Sequence, residues 1–406
     1  MKVLFINTTC GVGSHGRICG ELAEDYEKQG HICKIAYGRG CSDRFSRFGY
    51  QIGNKFSIYS DVLNTRLFDK HGLNSKIATK NFLKWADSFN PDLLWLHNIH
   101  GYYINYELLF DWIKSRPQME VKWTLHDCWA FTGHCGFFTM AACDKWKNGC
   151  NNCPLKNDYP SSYLMDNSKE NYKRKRASFT GVENLTLITP SQWLADLVKE
   201  SFLKEYPVKV RYNTVDTAIF RPTESDFRLR NNIENKIIVL GVANVWHRRK
   251  GLDDFIQLAG MLDDNYRIVL VGLTKKQIKD FEQYSPGIHR VNSAMGDIFR
   301  IDKTRKPQKA TPREIKRTTN GVAIVPDVSD LYWEINKDHE LDCTGTEMIL
   351  IERTGSPQEL AGLYSIADYY VNPTHEDNYP TTNLEAQACG TFVITYDVGG
   401  SKETIK

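Results

Sequence analysis

The sequence predicts an α/β fold built from two doubly wound, Rossmann-like domains. Short apolar runs typical of strands alternate with amphipathic helical patterns, and such alternation is typical of βαβ units around a mainly parallel sheet. The 406 residues are enough for two or three domains of roughly 150 residues each. A strand and a loop running into Pro222 separate two such series, so we place the domains at residues 1–215 and 216–406.

Each predicted domain has its own series of elements. In the first, the patterns predict strands at 2–7, 32–37, 92–97, 122–126 and 185–189 and helices at 17–30 and 191–200. In the second, they predict strands at 237–241, 267–272, 348–351, 369–372 and 392–396 and helices at 252–262, 357–367 and 383–389. A basic, proline-containing segment at about 285–345 interrupts the second series. Because structureless loops of this length are uncommon, we interpret it as an insertion with an extended piece at 321–325, serving as a solvated loop or as an acceptor-binding or membrane-facing element.

Composition excludes several classes of protein. The hydrophobic content of 41% and charged content of 25% are ordinary for a globular protein, and a net charge of +3 does not indicate nucleic-acid binding. No apolar run approaches the roughly 20 residues that span a bilayer. The N-terminal run has no small-residue cleavage site, so it is interpreted as a first strand rather than a signal peptide. These features predict a cytoplasmic protein.

A glycine-rich loop, Gly11–Gly16, follows the first strand and opens the first helix. Its spacing fits G-x-G-x-x-G, in which glycines permit close approach of a ligand and the helix N-terminus favours an anion. A dinucleotide site also needs an acidic residue near the end of the second strand, and residues 36–40 contain none. A ligand other than a nicotinamide dinucleotide is therefore favoured, although a glycine turn without a ligand stays open.

Two acidic residues stand eight positions apart: Asp377 in a short loop after a predicted strand, and Glu385 at the start of a predicted helix. Buried carboxylates are costly without partners, so the pair predicts a site that binds several hydroxyl groups. The structural alternative is a loop followed by a capped helix.

Three consecutive cations, Arg248, Arg249 and Lys250, precede the first helix of the second domain. Positive charge opposes the positive end of a helix dipole, so a bound diphosphate would account for it better than a solvated turn does.

Polar residues also stand at predicted strand ends in the first domain. His97 and His100 follow one strand, and His126 with Asp127 follows another. Ligands of parallel α/β sheets bind at the carboxyl ends of the strands, so these side chains are candidate site residues. Asp127 either orients the His126 imidazole or caps the following turn.

Four cysteines, Cys135, Cys143, Cys150 and Cys153, lie in a loop at 133–154. Clustered cysteines with a terminal C-x2-C in a reducing compartment favour tetrahedral zinc over disulfides. We predict a structural zinc there, with His134 as a possible substitute ligand and buried free thiols as the alternative. Four thiolates would close the coordination sphere, so a catalytic zinc is not expected.

A basic helical stretch at 169–179 has two interpretations. Such a run is usually a solvated face, and it also fits contact with anionic lipid.

The acidic pair, the helix after it, Gly390 and the strand at 392–394 resemble the signature of retaining family-four glycosyltransferases. The form Glu-Asp-Asn, an aromatic residue, Pro and Thr is similar to that of enzymes of capsule and exopolysaccharide synthesis of the colanic-acid type. The resemblance implies the GT-B fold, with the active site in a cleft between two Rossmann-like domains. It also implies transfer of a sugar from a nucleotide-diphosphate sugar to a glycan or lipid-linked acceptor, with retention of configuration and without a catalytic metal.

The resemblance also implies roles for individual residues. Lys250 matches the family's phosphate-binding lysine, while the family's arginine falls on Asn244, so Arg249, or in second place Arg248, is expected to replace it. The expected donor-binding residues are Gly13, Arg249, Lys250, Asn378, Thr381, Thr382 and Glu385, with Glu385 on the ribose. Asp377 and His126 are the expected catalytic residues at the donor sugar, with Glu376 as the alternative acid, and His97 and His100 are the expected acceptor contacts.

Other functions stay open at this point: a nucleotide-sugar epimerase, an NAD(P)-dependent oxidoreductase and a non-catalytic glycan-binding relative of the fold. Family members usually continue beyond the position of Lys406 through further helices that return to the first domain. The second domain is therefore expected to be short at its C-terminus.

Overall fold

The computed structural model describes residues 1–280, 288–291, 297–301, 316–318, 322–335 and 345–405. The chain divides into two compact units, Met1–Asn213 and Thr214–Lys406.

The first unit is a seven-stranded sheet in the order β3-β2-β1-β4-β5-β6-β7, flanked by helices. All paired strands in it run parallel. The strands are β1 (Lys2–Asn7), β2 (Ile32–Tyr37), β3 (Gly49–Gln51), β4 (Leu93–Leu96), β5 (Glu120–Thr124), β6 (Leu185–Thr189) and β7 (Val208–Val210). The helices are α1 (Gly13–Lys28), α2 (Lys55–Phe68), α3 (Lys76–Phe89), α4 (Tyr106–Lys114), α5 (Lys145–Asn148), α6 (Ser168–Phe179) and α7 (Gln192–Glu200).

The second unit contains a nine-stranded sheet in the order β10-β11-β14-β9-β8-β15-β16-β13-β12. Its described strands are β8 (Ile237–Val242), β9 (Tyr266–Val271), β10 (Ile288–Val291), β11 (Asp297–Ile301), β12 (Lys316–Thr318), β13 (Val322–Val325), β14 (Glu347–Ile351), β15 (Tyr369–Asn372) and β16 (Phe392–Tyr396). Its described helices are α8 (Phe227–Arg230), α9 (Leu252–Met261), α10 (Lys275–Asp280), α11 (Val328–Ile335), α12 (Pro357–Ile366) and α13 (Thr381–Ala388).

Continuous apolar runs explain why the parallel strands are covered on both faces of the sheet. Val3, Leu4, Phe5 and Ile6 of β1 are all fully buried, so both faces of the strand are packed. Such runs are typical of strands with helices on both faces of the sheet. The prediction of an α/β fold with two Rossmann-like domains is confirmed.

The segment predicted as an insertion, about 285–345, contributes to the second sheet. β11 pairs antiparallel with β14, and β13 pairs parallel with β16. The extended piece predicted at 321–325 corresponds to β13 from Val322 onwards, while residue 321 and several other parts of the segment lie outside the described residues.

Strand order reverses at one place in each sheet. In the first sheet β1 lies between β2 and β4, and in the second β8 lies between β9 and β15. The crevice outside the carboxyl ends of two strands at such a reversal is where ligands bind in doubly wound folds. The candidate residues are therefore expected after β1 and β4 and after β8 and β15.

Some elements differ from the sequence prediction. α1 begins at Gly13 rather than at residue 17, so the glycine motif forms its first turn. β3, α2, α3 and α4 had not been predicted, and α2 lacks a typical inward apolar face because Asp61 and Thr65 are its buried residues. Among the described residues, none of the helices is both long and apolar enough to cross a bilayer.

Candidate donor-binding and active site

The cationic turn follows β8 and leads into α9. Arg248–Lys250 form a short 3-10 turn that ends at Gly251, whose φ is +76°. A Cβ at Gly251 would lie 2.3 Å from the carbonyl oxygen of Pro373, at the end of β15. Glycine is needed here both for the left-handed backbone and for this close approach. The glycine therefore brings the turn against the loop that carries Asp377.

The backbones of the turn and the loop are hydrogen-bonded to each other. The amide of His375 donates to the carbonyl oxygen of Arg249 at 2.8 Å, and the Arg249 guanidinium donates to the carbonyl oxygen of Glu376. The cations and the acidic loop are consequently positioned as one surface at the β8/β15 reversal.

Asp377 pairs with Lys250 through its Oδ2 and accepts the amide of Asn378 through its Oδ1 at 2.9 Å. The side chains of Lys250 and Asp377 are 24% and 15% exposed. Burial raises the pKa of Asp377, but the positive charges of Lys250 and Arg249 outweigh it and hold the pKa below its ordinary value. Asp377 is thus ionised at neutral pH and suited to accept hydrogen bonds from hydroxyl groups.

Glu385 is buried in α13, where its Oε2 accepts a hydrogen bond from the Tyr364 hydroxyl at 3.2 Å. Burial and the charge of Glu385 raise the pKa of Tyr364 far above its ordinary value, so the phenol keeps its proton. Asn372 anchors the same helix from β15, since its Nδ2 donates to Asn383 Oδ1 at 2.8 Å. The helix therefore holds Glu385 in a fixed place behind the loop.

The start of α13 and the loop before it contain the other expected donor contacts. Asn378 is buried, while Thr381 and Thr382 are half-buried in the first turn of the helix. Pro380 precedes this turn, and no side-chain cap of the helix is found within the described residues. The amide of Asn383 donates to the Pro380 carbonyl oxygen at 3.3 Å, so an electronegative group would meet the amides of Thr381 and Thr382.

Three supporting residues were missed by the sequence prediction. Asp254 in α9 accepts hydrogen bonds from His375 Nε2 at 2.8 Å and from the Tyr396 hydroxyl at 2.9 Å. The hydrogen bond to Asp254 raises the pKa of His375, although burial and Arg248 oppose this. These contacts tie α9 and β16 to the loop before Asp377.

Gly399 supports the same loop from the other side. A Cβ there would lie 2.1 Å from the Asp377 carbonyl oxygen, and φ is +54°. The amide of Gly400 donates to that same oxygen at 3.2 Å. A glycine pair that begins three residues after β16 is a signal that could have indicated this turn, whereas the Asp254–His375 contact joins residues distant in sequence and offers none.

In the first unit, the glycine loop leaves space above the start of α1. Gly11 and Gly13 have φ of +72° and +69°. A Cβ on Gly11 would meet Phe45 and Ser42, whereas one on Gly13 would meet no described atom within 4 Å. Gly11 is therefore required by packing, and Gly13 is the position that a ligand can approach.

The histidines meet at the carboxyl ends of β4 and β5. His97 Nδ1 lies 3.0 Å from His126 Nε2, and the His15 ring lies 4.3 Å from that of His126. Burial, together with the neighbouring His15, lowers the pKa of His97 to about 3 and also lowers that of His126. Neutral imidazoles of this kind suit hydrogen bonds to hydroxyl groups better than binding of phosphate.

Asp127 contacts a different histidine. Its Oδ2 lies 3.1 Å from His100 Nε2, and its Oδ1 accepts the amide of Trp129 at 2.9 Å. His100 Nδ1 in turn lies 3.3 Å from the Tyr159 hydroxyl. Asp127 therefore caps the following turn and contacts His100.

The cysteine-rich loop surrounds one small cavity lined by His134 and by all four cysteines predicted as zinc ligands. A hydrogen bond from Cys135 lowers the pKa of Cys153 to about 7, and the Gly133 amide donates to Cys150 Sγ at 3.1 Å. Within the described ranges, no group of three or more His, Cys, Asp or Glu side chains is arranged to hold a metal ion.

Comparison with known proteins defines the class. Residues 344–406, which include β14 to β16 with Asp377 and Glu385, match the family described as glycosyl transferases group 1. The predicted resemblance to glycosyltransferases is confirmed: this segment is similar to group 1 glycosyl transferases, and the fold is GT-B.

Individual relatives support this class. Over 208 residues the chain is 34% identical to WcaC of Escherichia coli (strain K12), named as a colanic acid biosynthesis glycosyl transferase, and the alignment covers 48% of this chain and 50% of the relative. The alignment thus spans about half the length of that curated relative. Sucrose-phosphate synthase from Thermosynechococcus elongatus has a similar fold, with a TM-score of 0.58 at 13% identity, covering 100% of this chain and 84% of that chain. Anabaena Alr3699/HepE, in complex with UDP and glucose, gives a TM-score of 0.55 at 11% identity and coverages of 100% and 83%.

Proposed function

We propose that the protein transfers a sugar from a nucleotide-diphosphate sugar to a hydroxyl group of a glycan or lipid-linked glycan, with retention of configuration, in the synthesis of a surface polysaccharide. The observation that carries this proposal is the joint position of Lys250, Asp377 and Glu385 at the β8/β15 reversal. The name of WcaC and the UDP complexes of HepE favour this substrate class.

The proposed donor site divides into a phosphate part and a sugar part. Arg249 and Lys250 would stabilise the negative charge that develops on the diphosphate as its bond to the anomeric carbon breaks. Glu385 would accept hydrogen bonds from the ribose, and Asp377 from the donor sugar. The acceptor hydroxyl oxygen forms the new bond to the anomeric carbon, and its proton passes to the leaving diphosphate.

The first unit is proposed to contribute neutral hydrogen-bonding groups. His126 would contact the donor sugar, and Gly13 would allow the donor to approach the start of α1. His97 and His100 would contact the acceptor. Support comes from the buried, uncharged state of the His97 and His126 pair, which matches hydroxyl groups.

Ligand-induced thermal stabilisation tests this proposal. The full chain is expected to be stabilised by UDP or GDP, and Asp377→Asn with Lys250→Met to abolish that response. The unaltered protein should also hydrolyse the nucleotide sugar that contains the stabilising nucleotide. Stabilisation by NADPH alone would indicate an oxidoreductase, and donor conversion without transfer would indicate an epimerase. No response to any nucleotide would favour a non-catalytic glycan-binding protein.

We also propose a structural zinc in the cysteine-rich loop. Support comes from the shared cavity of the four thiols and from His134, whose Nδ1 lies 2.6 Å from Asp69 Oδ1. The buried His134 Nε2 has no hydrogen-bond partner within the described part of the chain. A carboxylate on one imidazole nitrogen is the usual support for a metal-binding histidine.

Metal analysis of the purified protein tests the zinc proposal. About one zinc per chain is expected, with loss of the metal and a lower Tm in Cys150→Ser. Cys33→Ser, in β2, is the matched control and should keep the metal. A metal-free protein with unchanged Tm after chelation would contradict the proposal.

We also propose that the enzyme is cytoplasmic and contacts the inner face of the membrane. The basic stretch 169–179 supports it through exposed Lys169, Lys173 and Arg176. Its other two cations are engaged, since Arg174 pairs with Glu107 and Lys175 is buried with its Nζ donating to the Trp129 carbonyl oxygen at 2.7 Å.

A further inference from the structure

Helix α2 has the reverse of the usual polarity. Phe56, Tyr59 and Leu63 are 84%, 70% and 59% exposed, whereas the buried residues of the helix are Asp61 and Thr65. Positions 56, 59 and 63 recur at the spacing of one helix face. The helix therefore presents an apolar stripe to the outside.

Specific polar contacts hold the inner face of α2. Asp61 accepts a hydrogen bond from the Ser75 hydroxyl at 2.6 Å, and Asn74 and Thr65 approach the same carboxylate at 3.5 Å. Asn54 caps the helix by accepting the Ser57 amide at 3.0 Å. Specific contacts thus fix the orientation of α2, and the helix is not loosely attached.

A second apolar segment adjoins the end of α2. Tyr163, Leu164 and Met165 are consecutive and exposed. The Tyr163 amide donates to the Arg66 carbonyl oxygen at 2.7 Å, and the Met165 amide to that of Leu67 at 3.3 Å. These hydrogen bonds extend the stripe of α2 into one apolar surface, which we call the α2 surface: Phe56, Tyr59, Leu63, Tyr163, Leu164 and Met165.

Several exposed cations flank the α2 surface. Lys55, Arg66 and Lys70 are exposed along α2 and just beyond it, and Arg66 lies over the Tyr163 ring at 5.8 Å. The single acid in α2 is the buried Asp61. Exposed Asp166, next to Met165, has both carboxylate oxygens occupied by backbone amides of Cys153 and Ser168.

We propose that the α2 surface is the membrane-docking face of the protein and binds lipid bilayers with anionic headgroups. Aromatic and aliphatic side chains combined with Lys and Arg are typical of interfacial helices, and anionic headgroups attract neighbouring cations. Lysine is depleted in protein–protein interfaces, so the flanking cations favour lipid over a protein partner. The inference deepens the proposed membrane contact and does not depend on transferase activity.

The proposal adds an apolar component to the basic stretch 169–179. Asn167 Nδ2 donates to the Phe68 carbonyl oxygen at 2.6 Å, and Asn171 Nδ2 donates to that of Asp69 at 2.6 Å. The start of α6, with Lys169, is therefore fastened to the end of α2. Cations of α6 thus lie beside the α2 surface.

Flotation with lipid vesicles tests the proposal on the full chain. The protein is expected to float with phosphatidylglycerol-containing vesicles and not with pure phosphatidylcholine vesicles. Phe56→Glu combined with Leu63→Glu should weaken binding about tenfold or more, because it removes apolar contact and adds negative charge. Leu229→Glu, at a position 65% exposed in α8 of the second unit, is the matched control and should bind like the unaltered protein.

Each other outcome overturns the inference in a distinguishable way. Absence of flotation would reject membrane contact altogether. If Lys169→Gln with Lys173→Gln abolishes binding while the double glutamate variant still binds, membrane contact stands and the α2 surface is not its site. If the unaltered protein is a dimer by light scattering, the glutamate variant a monomer and neither floats, a second copy of the chain covers this surface. Circular dichroism and Tm of each variant establish that loss of binding is not loss of folding.

Discussion

The Lys250–Asp377 pair provides the sharpest test of how the proposed donor site is built. Replacing Lys250 by Met leaves Asp377 as a mostly buried carboxylate beside Arg249, and replacing Asp377 by Asn leaves the ammonium group without its partner. The double variant removes both charges. A double-mutant cycle on these changes therefore isolates the free energy of the pair from the other contacts of either residue.

The expected coupling free energy of the Lys250–Asp377 pair follows from the partial burial of its two side chains. Breaking a fully buried ion pair costs about 3–5 kcal/mol, and a fully exposed pair contributes about 0–1 kcal/mol. With 24% and 15% of the two side chains exposed, we expect a coupling free energy of about 1–2 kcal/mol at pH 7. Because the pKa of Asp377 is lowered in the folded state, this stabilisation is present above the unfolded pKa of about 4 and is lost as the pH falls through the lowered value.

Urea unfolding of the four proteins, with separate transitions fitted where the two units unfold separately, measures the coupling. The matched control is the Lys402–Asp397 pair of the same unit, at 3.0 Å but with 52% and 37% of the side chains exposed. Its coupling should be below about 0.5 kcal/mol. A Lys250–Asp377 coupling no larger than that of the control would refute the inference that burial at the β8/β15 reversal strengthens this pair.

Three further outcomes are expected. Glu385→Gln should weaken binding of the matching nucleoside diphosphate by about tenfold to a hundredfold, measured by calorimetry, because a charged hydrogen bond contributes about 1.5–3 kcal/mol. Gly251→Ala should lower the free energy of unfolding by about 1–3 kcal/mol, and by more than Gly181→Ala does. Both glycines have positive φ, but only a Cβ at Gly251 would meet a neighbouring backbone. Equal losses of Tm in the two variants would contradict this expectation. Nucleotide affinity should fall as the pH rises through the raised pKa of His375, because deprotonation weakens the hydrogen bond of His375 to Asp254. The Asp254→Asn variant should lack this pH dependence.

Much of the candidate donor site was predictable because its residues lie in the loops that follow predicted strands. The runs at 237–241 and 369–372 identified β8 and β15, and the polar residues directly after them identified the loop ends. In a doubly wound sheet such ends meet at the strand reversal. The resemblance to glycosyltransferases implied that Lys250 and Asp377 bind the same donor, and the structure pairs them.

The supporting contacts were not predictable in the same way. Asp254 stands inside a helix and His375 inside a loop, 121 positions apart. Each has an ordinary local interpretation, as an acid in the first turn of a helix or as a polar loop residue. Pairing them requires the relative positions of α9 and the loop after β15, which periodicity does not supply.

The failure to predict α2 has a different physical cause. Periodicity assigns the apolar stripe of a helix to the core, and in α2 the stripe of Phe56, Tyr59 and Leu63 is exposed while Asp61 is buried. Burial raises the pKa of Asp61 to about 6, against the opposing hydrogen bonds of Ser75 and Asn74, so this arrangement opposes folding stability near neutral pH. Conflicts between local pattern and burial are expected mainly at functional sites. Contact of the stripe with a bilayer removes its apolar surface from water, which gives the exposed orientation of α2 a physical reason that the isolated chain does not provide.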